Sequence, residues 1–278
     1  MCGIAGVYNI SGEPFSMENL VKMANSIEHR GPDGEGFYQH RSVSLAHKRL
    51  AIIDTSVKGA QPMQSNQGNW VISFNGCIYN FPELKDALIS KGHVFTSNSD
   101  TEVIVEGLES EGTDFFKKLN GMFAIAAYHV PSNKLFLSRD RYGVKPLYYW
   151  FNGSEFIFAS EIKAILCHPA YSIGLDHDAL NEYFTFQNLF SYNSIFKGII
   201  LLPPANTIEV NAESRLIKHN SWWDYDFSEP IESMTFEEAK EETKRLFECA
   251  VKRQMISDVP VGSYLSGGMD SGSITAIA

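Results

Sequence analysis

Cys2 is the residue whose type and position most directly suggest chemistry, because removal of the initiator Met1 would make it the amino terminus. A terminal cysteine combines a thiol nucleophile with a free α-amine, which ordinarily titrates at about 7.7–8.0 and can serve as the base. With Met1 attached, the α-nitrogen of Cys2 is an amide and accepts no proton. The alternative is a cysteine that packs as a small, inert side chain.

Asn75-Gly76 is a candidate oxyanion hole. A thiolate that attacks a carboxamide forms a tetrahedral oxyanion, which needs fixed hydrogen-bond donors. The Asn75 side-chain amide could supply one donor and the Gly76 N–H another, at a position where a side chain would obstruct the substrate. The pair is equally typical of a type I′ turn, which is all that we expect of Asn152-Gly153.

Arg49 and Asp100 suit the two charged ends of a free amino acid. The planar guanidinium of Arg49 matches a carboxylate, and the carboxylate of Asp100 could pair with an ammonium group. Either residue alone would be weak evidence, because exposed charged side chains are usually only solvated.

The segment SGGMDS, residues 266–271, could hold phosphate. It follows an apolar run over residues 259–265, which predicts a short strand, and it opens a helix, so that backbone N–H groups could bind an anion. It lacks the lysine of the GxxxxGK[ST] phosphate loop. An ordinary strand-to-helix turn is the alternative.

The periodicity of the chain predicts mixed helices and antiparallel strands. Strand patterns cover residues 2–8, 42–45, 70–74, 77–79, 122–130, 134–139, 147–151 and 155–159. Helical patterns or caps cover residues 17–27, 82–90, 100–108 and 235–254. Hairpin spacing, with helices grouped between pairs of strands, favours two stacked sheets flanked by helices over a parallel βαβ sheet.

Charge, hydropathy and cysteine content indicate which class of ligand and which cellular compartment to expect. The formal net charge of −10 argues against a nucleic-acid partner and favours small metabolites. The sequence has neither an apolar run long enough for a membrane span nor the pattern of a signal peptide. The four widely spaced cysteines form no CxxC pair, and we expect a protein of the reducing cytoplasm.

Eight motifs together resemble the glutamine-hydrolysing asparagine synthetases. They are CGI (2–4), HRGPD (29–33), RLAIID (49–54), NGCIYN (75–80), SDTE (99–102), RDRYGVKPLY (139–148), ASEIKA (159–164) and SGGMDS (266–271). The resemblance implies an α+β fold: a four-layer αββα sandwich of the N-terminal-nucleophile type, followed by the start of an α/β ATP-pyrophosphatase domain. We expect a glutamine amidotransferase domain over residues 1–215, a linker over 216–234 and the synthetase start over 235–278.

The resemblance also implies roles for individual residues. Cys2 would attack the glutamine side chain, and Asn75 and Gly76 would line the oxyanion hole. The glutamine-binding residues would be Arg49, Leu50, Ile52, Ile53, Asn75, Gly76, Cys77 and Asp100. The ATP-binding residues would be Leu265, Ser266, Gly267, Gly268, Asp270 and Ser271.

In the family, the released ammonia amidates aspartate that ATP and Mg²⁺ have activated, whereas glutamine hydrolysis uses no cofactor. No metal ligand is expected in this chain. A homodimer is an open alternative.

Two departures from the family pattern affect these expectations. Cys77 stands where the family usually has a glutamate that pairs with the substrate ammonium, so we expect weaker glutamine binding. The sequence stops in the first helix after the phosphate loop, so we expect glutamine hydrolysis but no asparagine synthesis. The alternatives are the same glutaminase serving a sugar, antibiotic or peptide carboxylate, or a weakened glutamine-binding domain.

Overall fold

Two six-stranded antiparallel sheets form the centre of the computed structural model, which describes residues 1–211, 216–228 and 234–278. From edge to edge, the first sheet contains β10 (Ile200–Leu201), β8 (Tyr148–Phe151), β9 (Glu155–Ala159), β1 (Gly3–Asn9), β3 (Val43–Arg49) and β2 (Gly34–His40). The second contains β12 (Leu216–Ser221), β11 (Asn206–Asn211), β7 (Lys134–Arg139), β6 (Gly121–His129), β5 (Trp70–Ile78) and β4 (Met63–Gln64).

Helices cover the outer face of each sheet. Helices α1 (Met17–Asn25) and α4 (Ile162–Leu166) pack on the first sheet, and α2 (Phe81–Ser90) and α3 (Asp100–Glu111) pack on the second. Caps begin two of them, because the Ser16 and Ser99 side chains accept hydrogen bonds from the first turns of α1 and α3. The four-layer αββα sandwich expected from the resemblance is confirmed.

Alternating side chains fill three cores. In β1, Ile4 packs between the two sheets, whereas Ala5 packs beneath α1. In β6, Ala124 faces the core between the sheets and Phe123 faces α2 and α3. Because β1 is buried on both faces, the residue just before it, Cys2, has a fixed position.

β5 differs from its prediction in a way that matters for the site. Residues 70–74 and 77–79 form one continuous strand, which pairs with β6 from Trp70 opposite His129 to Ile78 opposite Gly121. Asn75-Gly76 therefore lies inside a strand, and the turn alternative is excluded. Asn152-Gly153 does connect the hairpin of β8 and β9, with Gly153 at a φ of +96°.

The strands and α-helices that were not predicted are β2, β4, β10, β11, β12, α4 and a helix α5 (His177–Phe186). β12 pairs with β11, so the predicted linker over residues 216–234 begins with a strand that forms the edge of the second sheet. Residues 229–233 of that linker lie outside the described residues.

The last part of the chain contains two helices, α6 (Phe236–Gln254) and α7 (Met269–Ile277). α6 confirms its prediction and begins with a capping box between Thr235 and Glu238. The strand predicted over residues 259–265 was wrong, because these residues pair with no strand of the described chain and their apolar side chains are exposed. A strand needs a hydrogen-bonded neighbour, which an apolar run does not supply.

Candidate active site

Cys2 lines a cavity to which β3, β5 and the start of α3 also contribute. Its thiol accepts a hydrogen bond from the Leu50 N–H (3.3 Å) and contacts the Leu50 carbonyl oxygen (3.5 Å). The Cys2 carbonyl accepts a bond from Arg30 Nε (2.9 Å). Burial raises the pKa of the Cys2 thiol, so a base is needed to form the thiolate. Met1 also lines this cavity of about 60 Å³, and its removal would enlarge it.

Asn75 presents an unpaired amide to the cavity. Its side chain is fully buried, and neither Nδ2 nor Oδ1 has a hydrogen-bond partner in the described chain. An unpaired buried polar group costs about 1–3 kcal/mol, so such a group in a native structure calls for an explanation. An oxyanion that forms in the cavity would accept a hydrogen bond from Asn75 Nδ2, which would explain why this buried amide has no partner within the described chain.

Gly76 is required by the neighbouring strand. A Cβ atom at this position would lie 2.1 Å from the Met122 carbonyl oxygen and 2.8 Å from Phe123 Cα, both on β6. From the sequence, we expect a glycine at position 76 because a side chain would obstruct the substrate. The structure gives a different reason, since a side chain at this position would collide with β6. The close approach of β6 fixes the backbone of β5 at the cavity wall.

Arg49 ends β3, and the loop that follows holds its guanidinium group. Nη1 donates to the Ser56 carbonyl oxygen (2.7 Å), and Nη2 donates to the Asp54 carbonyl oxygen. A Cβ atom on Gly59 would lie 2.2 Å from Nη2, so this glycine provides the space. The Asp54 carboxylate is in turn bound by the Asn98 N–H (2.9 Å). The guanidinium is therefore fixed at the cavity wall before any substrate binds.

Asp100 is a buried carboxylate at the first position of α3 and lines the cavity. Its Oδ2 accepts a hydrogen bond from the Ile78 N–H (2.9 Å). Burial raises the pKa of Asp100 to about 7. None of the ion pairs within the described ranges includes Asp100. A substrate ammonium would therefore stabilise the ionised form.

Cys77 lies in the same cavity as a neutral thiol. Burial, with a smaller contribution from the charge of Asp100, raises the pKa of Cys77 to about 12. At neutral pH this side chain supplies no negative charge for an ammonium group, in agreement with the expectation from its type.

Leu50, Ile52 and Ile53 complete the predicted glutamine-binding wall. The Ile52 carbonyl oxygen accepts a bond from the Asp258 N–H (3.0 Å), and the Asp258 carboxylate accepts one from the Asp54 N–H (2.7 Å). The segment after α6 thus contacts the loop that holds Arg49, a connection that the sequence did not indicate.

Sequence reasoning missed further cavity residues, among them Gln61 and Lys145. Gln61 joins two walls, since Oε1 accepts a bond from the Phe74 N–H (2.7 Å) and Nε2 donates to Thr101 Oγ1 (3.2 Å). Lys145 belongs to the motif RDRYGVKPLY, which was quoted only for the resemblance. A conspicuous charged motif without an assigned role was the available signal for Lys145, whereas Gln61 had none.

The residues predicted to bind ATP form a separate loop outside the cavity. Ser266 Oγ and Ser271 Oγ lie 2.9 Å apart, and Gly267 has a φ of +85°. α7 begins at Met269, directly after Gly268. The other members, Leu265 and Asp270, are exposed.

Two further features, a metal-ligand cluster and a membrane-spanning helix, are absent from the residues that the structure describes. Residues 1–211, 216–228 and 234–278 contain no group of three His, Cys, Asp or Glu side chains placed to hold a metal ion. Among the helices of these ranges, none has both the length and the apolar character needed to cross a membrane.

Two protein families match successive parts of this chain. The glutamine amidotransferase domain family matches residues 1–223, and the asparagine synthase family matches residues 242–278. Asparagine synthetase (glutamine-hydrolyzing) 3 of Bacillus subtilis is 36% identical over 282 residues, and asparagine synthetase B (glutamine-hydrolyzing) of Escherichia coli is 32% identical over 281. All of this chain aligns with 45% and 44% of those proteins, so it spans less than half of their length.

Solved structures support the same fold. Glutamine phosphoribosylpyrophosphate amidotransferase from B. subtilis covers 99% of this chain with 63% of its own, at a TM-score of 0.58 and 17% identity. The structure of the allosteric regulatory enzyme of purine biosynthesis covers 79% of this chain with 49% of its own length, at a TM-score of 0.58 and 18% sequence identity. Together with the match over residues 1–223, these findings show that the chain belongs to the glutamine amidotransferase domain family and continues into the start of an asparagine synthase domain.

Proposed function

We propose that this chain hydrolyses glutamine to glutamate and ammonia, with Cys2 as the nucleophile. The observation that carries the proposal is the shared cavity, in which the thiol, the Arg49 guanidinium, the unpaired Asn75 amide and the Asp100 carboxylate all take part. One cavity thus contains a nucleophile, an oxyanion donor and a partner for each charged end of an amino acid.

The reaction begins once Met1 is absent and Cys2 has a free α-amine. The amine accepts the thiol proton, and the sulfur attacks the carbonyl carbon of the glutamine side chain. Asn75 Nδ2 and the Gly76 N–H donate to the oxyanion. The amine then passes its proton to the leaving nitrogen, the C–N bond breaks, and ammonia departs from a γ-glutamyl thioester. Water, deprotonated by the same amine, cleaves the thioester to give glutamate and restore the thiol.

Two charged residues and the wall hold the substrate during these steps. Arg49 binds the α-carboxylate and Asp100 binds the α-ammonium, while Leu50, Ile52 and Ile53 form the wall beside them. Cys77 adds no charge, so Asp100 provides the anion on its side of the cavity. We therefore expect weaker binding than with a glutamate at position 77.

The same proposal extends to the longer protein that such a domain pair would serve. ATP phosphates would bind at Ser266, Gly267, Gly268, Asp270 and Ser271, with Leu265 beside the adenosine. Two features of the loop fit this role. Space is open beside Gly268, since a Cβ atom built there would have its nearest neighbour 3.6 Å away, and the N-terminus of α7 follows directly and can bind an anion. ATP would activate aspartate for amidation by the ammonia, and Mg²⁺ would arrive with the phosphates, as is common for this ion.

Organisation and location follow from the same proposal. We extend the amidotransferase part from the expected residues 1–215 to residue 221, because β12 pairs with β11 and completes the second sheet. The linker then ends at residue 234, and the synthetase start covers residues 235–278. The four cysteines form no disulfide, which suits a reducing cytoplasm.

Ammonia release from glutamine tests the catalytic proposal. Cys2→Ala should lose activity on the order of a thousandfold or more, whereas Cys249→Ala, which changes an exposed cysteine of α6, should retain it. Intact mass should show that active chains lack Met1. Equal rates for the unaltered chain and Cys2→Ala would contradict the proposal.

A further inference from the structure

The turn between β7 and β8 is held by an unusually complete set of hydrogen bonds. The Asp140 carboxylate accepts bonds from four backbone N–H groups: Phe123 (3.0 Å), Tyr142 (3.1 Å), Val144 (2.9 Å) and Lys145 (3.1 Å). Arg139 Nε donates to the Lys145 carbonyl oxygen (2.8 Å), and its other two nitrogens donate to the Gly143 and Leu202 carbonyl oxygens. Two buried charged side chains therefore fix the backbone of one residue, Lys145.

The side chain of Lys145 extends from this turn into the wall of the cavity that contains Cys2. The Nζ atom of Lys145 lies 3.1 Å from the Sδ atom of Met1. Met1 is the residue whose removal makes Cys2 the amino terminus. No ion pair in the described parts of the chain includes Lys145. The structure thus keeps a half-buried ammonium beside the reacting end of the chain without a carboxylate bound to it.

Other charged or titratable groups also influence this end of the chain, and they come from each neighbouring element. They are Arg30 from the turn before β2, Arg49 from β3, Cys77 from β5 and Asp100 from α3. Arg30 and Arg49 are already committed, Arg30 to Glu161 and the Cys2 carbonyl, and Arg49 to its loop. In the part of the chain that the structure describes, Met1 Sδ is the one hydrogen-bond partner of Lys145 Nζ.

We propose that Lys145 is a positioning residue of the active site, whose ammonium group keeps the α-amine of Cys2 unprotonated and favours the thiolate. The inference deepens the proposed glutamine hydrolysis and rests on it. A cation near two titrating groups favours the less positive form of both, and its influence is greatest where water is excluded. A terminal amine with an ordinary pKa of about 7.7–8.0 would be mostly protonated at pH 7, so that only a small fraction of the molecules would have the base in its active form.

Burial, with a smaller contribution from the charge of Arg30, lowers the pKa of Lys145, whereas Cys77, Asp140 and Cys2 act in the opposite direction. The α-amine of Met1 lies one residue away from the position of the catalytic amine. Burial lowers its pKa, Cys2 opposes this shift, and the charges of Arg30 and Lys145 act in the lowering direction. The direction of the proposed effect on Cys2 is the same.

The test is the pH dependence of kcat at saturating glutamine for Lys145→Met, Lys145→Arg and Lys22→Gln. Lys145→Met keeps most of the aliphatic stem but removes the charge. The acidic limb of the kcat–pH profile of this variant should therefore lie at higher pH than that of the unaltered chain. A shift of one pH unit gives about a tenfold loss on the acidic limb and recovery at high pH. Lys145→Arg should keep the original profile. Lys22→Gln, on the exposed surface of α1, is the control.

A second measurement does not depend on glutamine hydrolysis. The rate of Cys2 alkylation by iodoacetamide, located by peptide mass, follows the thiolate. Lys145→Met should move that rate profile to higher pH as well, even if the chain releases no ammonia. A loss of kcat that is equal at every pH, or an unchanged alkylation profile, would overturn the role of Lys145. Cys2→Ala activity equal to that of the unaltered chain would instead overturn the proposed function.

Discussion

Two candidate ligand sites of this chain are built in opposite ways. The glutamine cavity, defined by Cys2, Arg49, Asn75 and Asp100, is held by contacts between distant parts of the sequence, such as Cys2 with Leu50. The glycine loop, residues 265–271, is held by neighbours, such as Ser266 with Ser271, and its side chains are largely exposed. The first site is preorganised by its own fold, whereas the second has little that fixes it against a ligand.

The two sites are nevertheless connected. Asp258, which lies between α6 and the glycine loop, binds both Ile52 and Asp54 beside the glutamine cavity. We therefore expect substitutions in the cavity to have large effects on stability or glutamine hydrolysis. Substitutions in the glycine loop should have small effects, and a substitution at the contact between the two sites should have an intermediate one.

A pair of glycine substitutions tests this contrast most strongly. Gly76→Ala places a Cβ 2.1 Å from the Met122 carbonyl oxygen and should lower the free energy of unfolding by about 1–3 kcal/mol or more. Thermal unfolding and ammonia release should both fall. Gly268→Ala meets nothing closer than 3.6 Å and should leave both measurements nearly unchanged. Similar effects at the two positions would contradict the proposed contrast.

Arg49→Lys tests the fork that binds the substrate carboxylate. Lysine lacks the planar pair of donors, so we expect KM for glutamine to rise by about 10–100-fold, from the loss of a charge-assisted bond. The control is Arg245→Lys, which alters an exposed guanidinium of α6 and should not change KM. An unchanged KM for Arg49→Lys would remove this residue from carboxylate binding.

The pH dependence of KM tests the buried Asp100. Its pKa is about 7, so below pH 7 the carboxyl group becomes protonated and loses its attraction for the substrate ammonium. KM should then rise by about tenfold per pH unit and level off above pH 7. Asp100→Asn should bind weakly and lack this dependence, whereas Asp270→Asn, in the glycine loop, should retain it. A flat profile for the unaltered chain would count against Asp100 as the ammonium partner.

Cys77→Glu should improve the cavity. A carboxylate at this position would add a second anion for the ammonium group, and we expect KM to fall by about fivefold, within the range of a partly exposed ion pair. Cys77→Gln has a similar volume without the charge and separates the electrostatic effect from packing. A KM for Cys77→Glu that is unchanged or higher would refute the charge explanation of the departure at position 77.

Asp258→Ala measures the contact between the two regions. Loss of one exposed hydrogen bond to the Asp54 N–H should cost about 0.5–1 kcal/mol and raise KM by about two- to fivefold, with little change in kcat. Asp226→Ala removes a carboxylate that accepts a hydrogen bond from the nearby Ser228 N–H (2.9 Å) and is the matched control. Identical KM values for both variants would show that the Arg49 loop is independent of the segment after α6.

Much of the fold was predictable from local patterns. The alternation in β1, β6 and β7 and the capping residues Ser16 and Thr235 are properties of neighbouring residues, and the corresponding elements form. The half-exposed β2 and the short edge strand β10 were not predictable in the same way, because they depend on strands far away in the sequence. For the same reason, the apolar run over residues 259–265 did not become a strand.

The site shows the same division. Cys2, Arg49, Asn75 and Asp100 were predicted from the chemistry of their side chains together with the resemblance, and the structure brings all four to one cavity. Gln61 and Lys145 were missed, because their place in the cavity depends on chain geometry. The position of Lys145, for example, is set by the hydrogen bonds of Asp140.

Met1 lines the glutamine cavity and contacts Lys145, so the unprocessed chain obstructs its own substrate site. Under the proposed mechanism, folding and activation are separate requirements, because the sandwich accommodates Met1 whereas glutamine hydrolysis needs Met1 to be absent. Two preparations with identical melting curves would differ in specific activity if their methionine excision differed. In a strongly overproducing host, turnover per milligram would therefore report the capacity of the aminopeptidase rather than the quality of the folded protein.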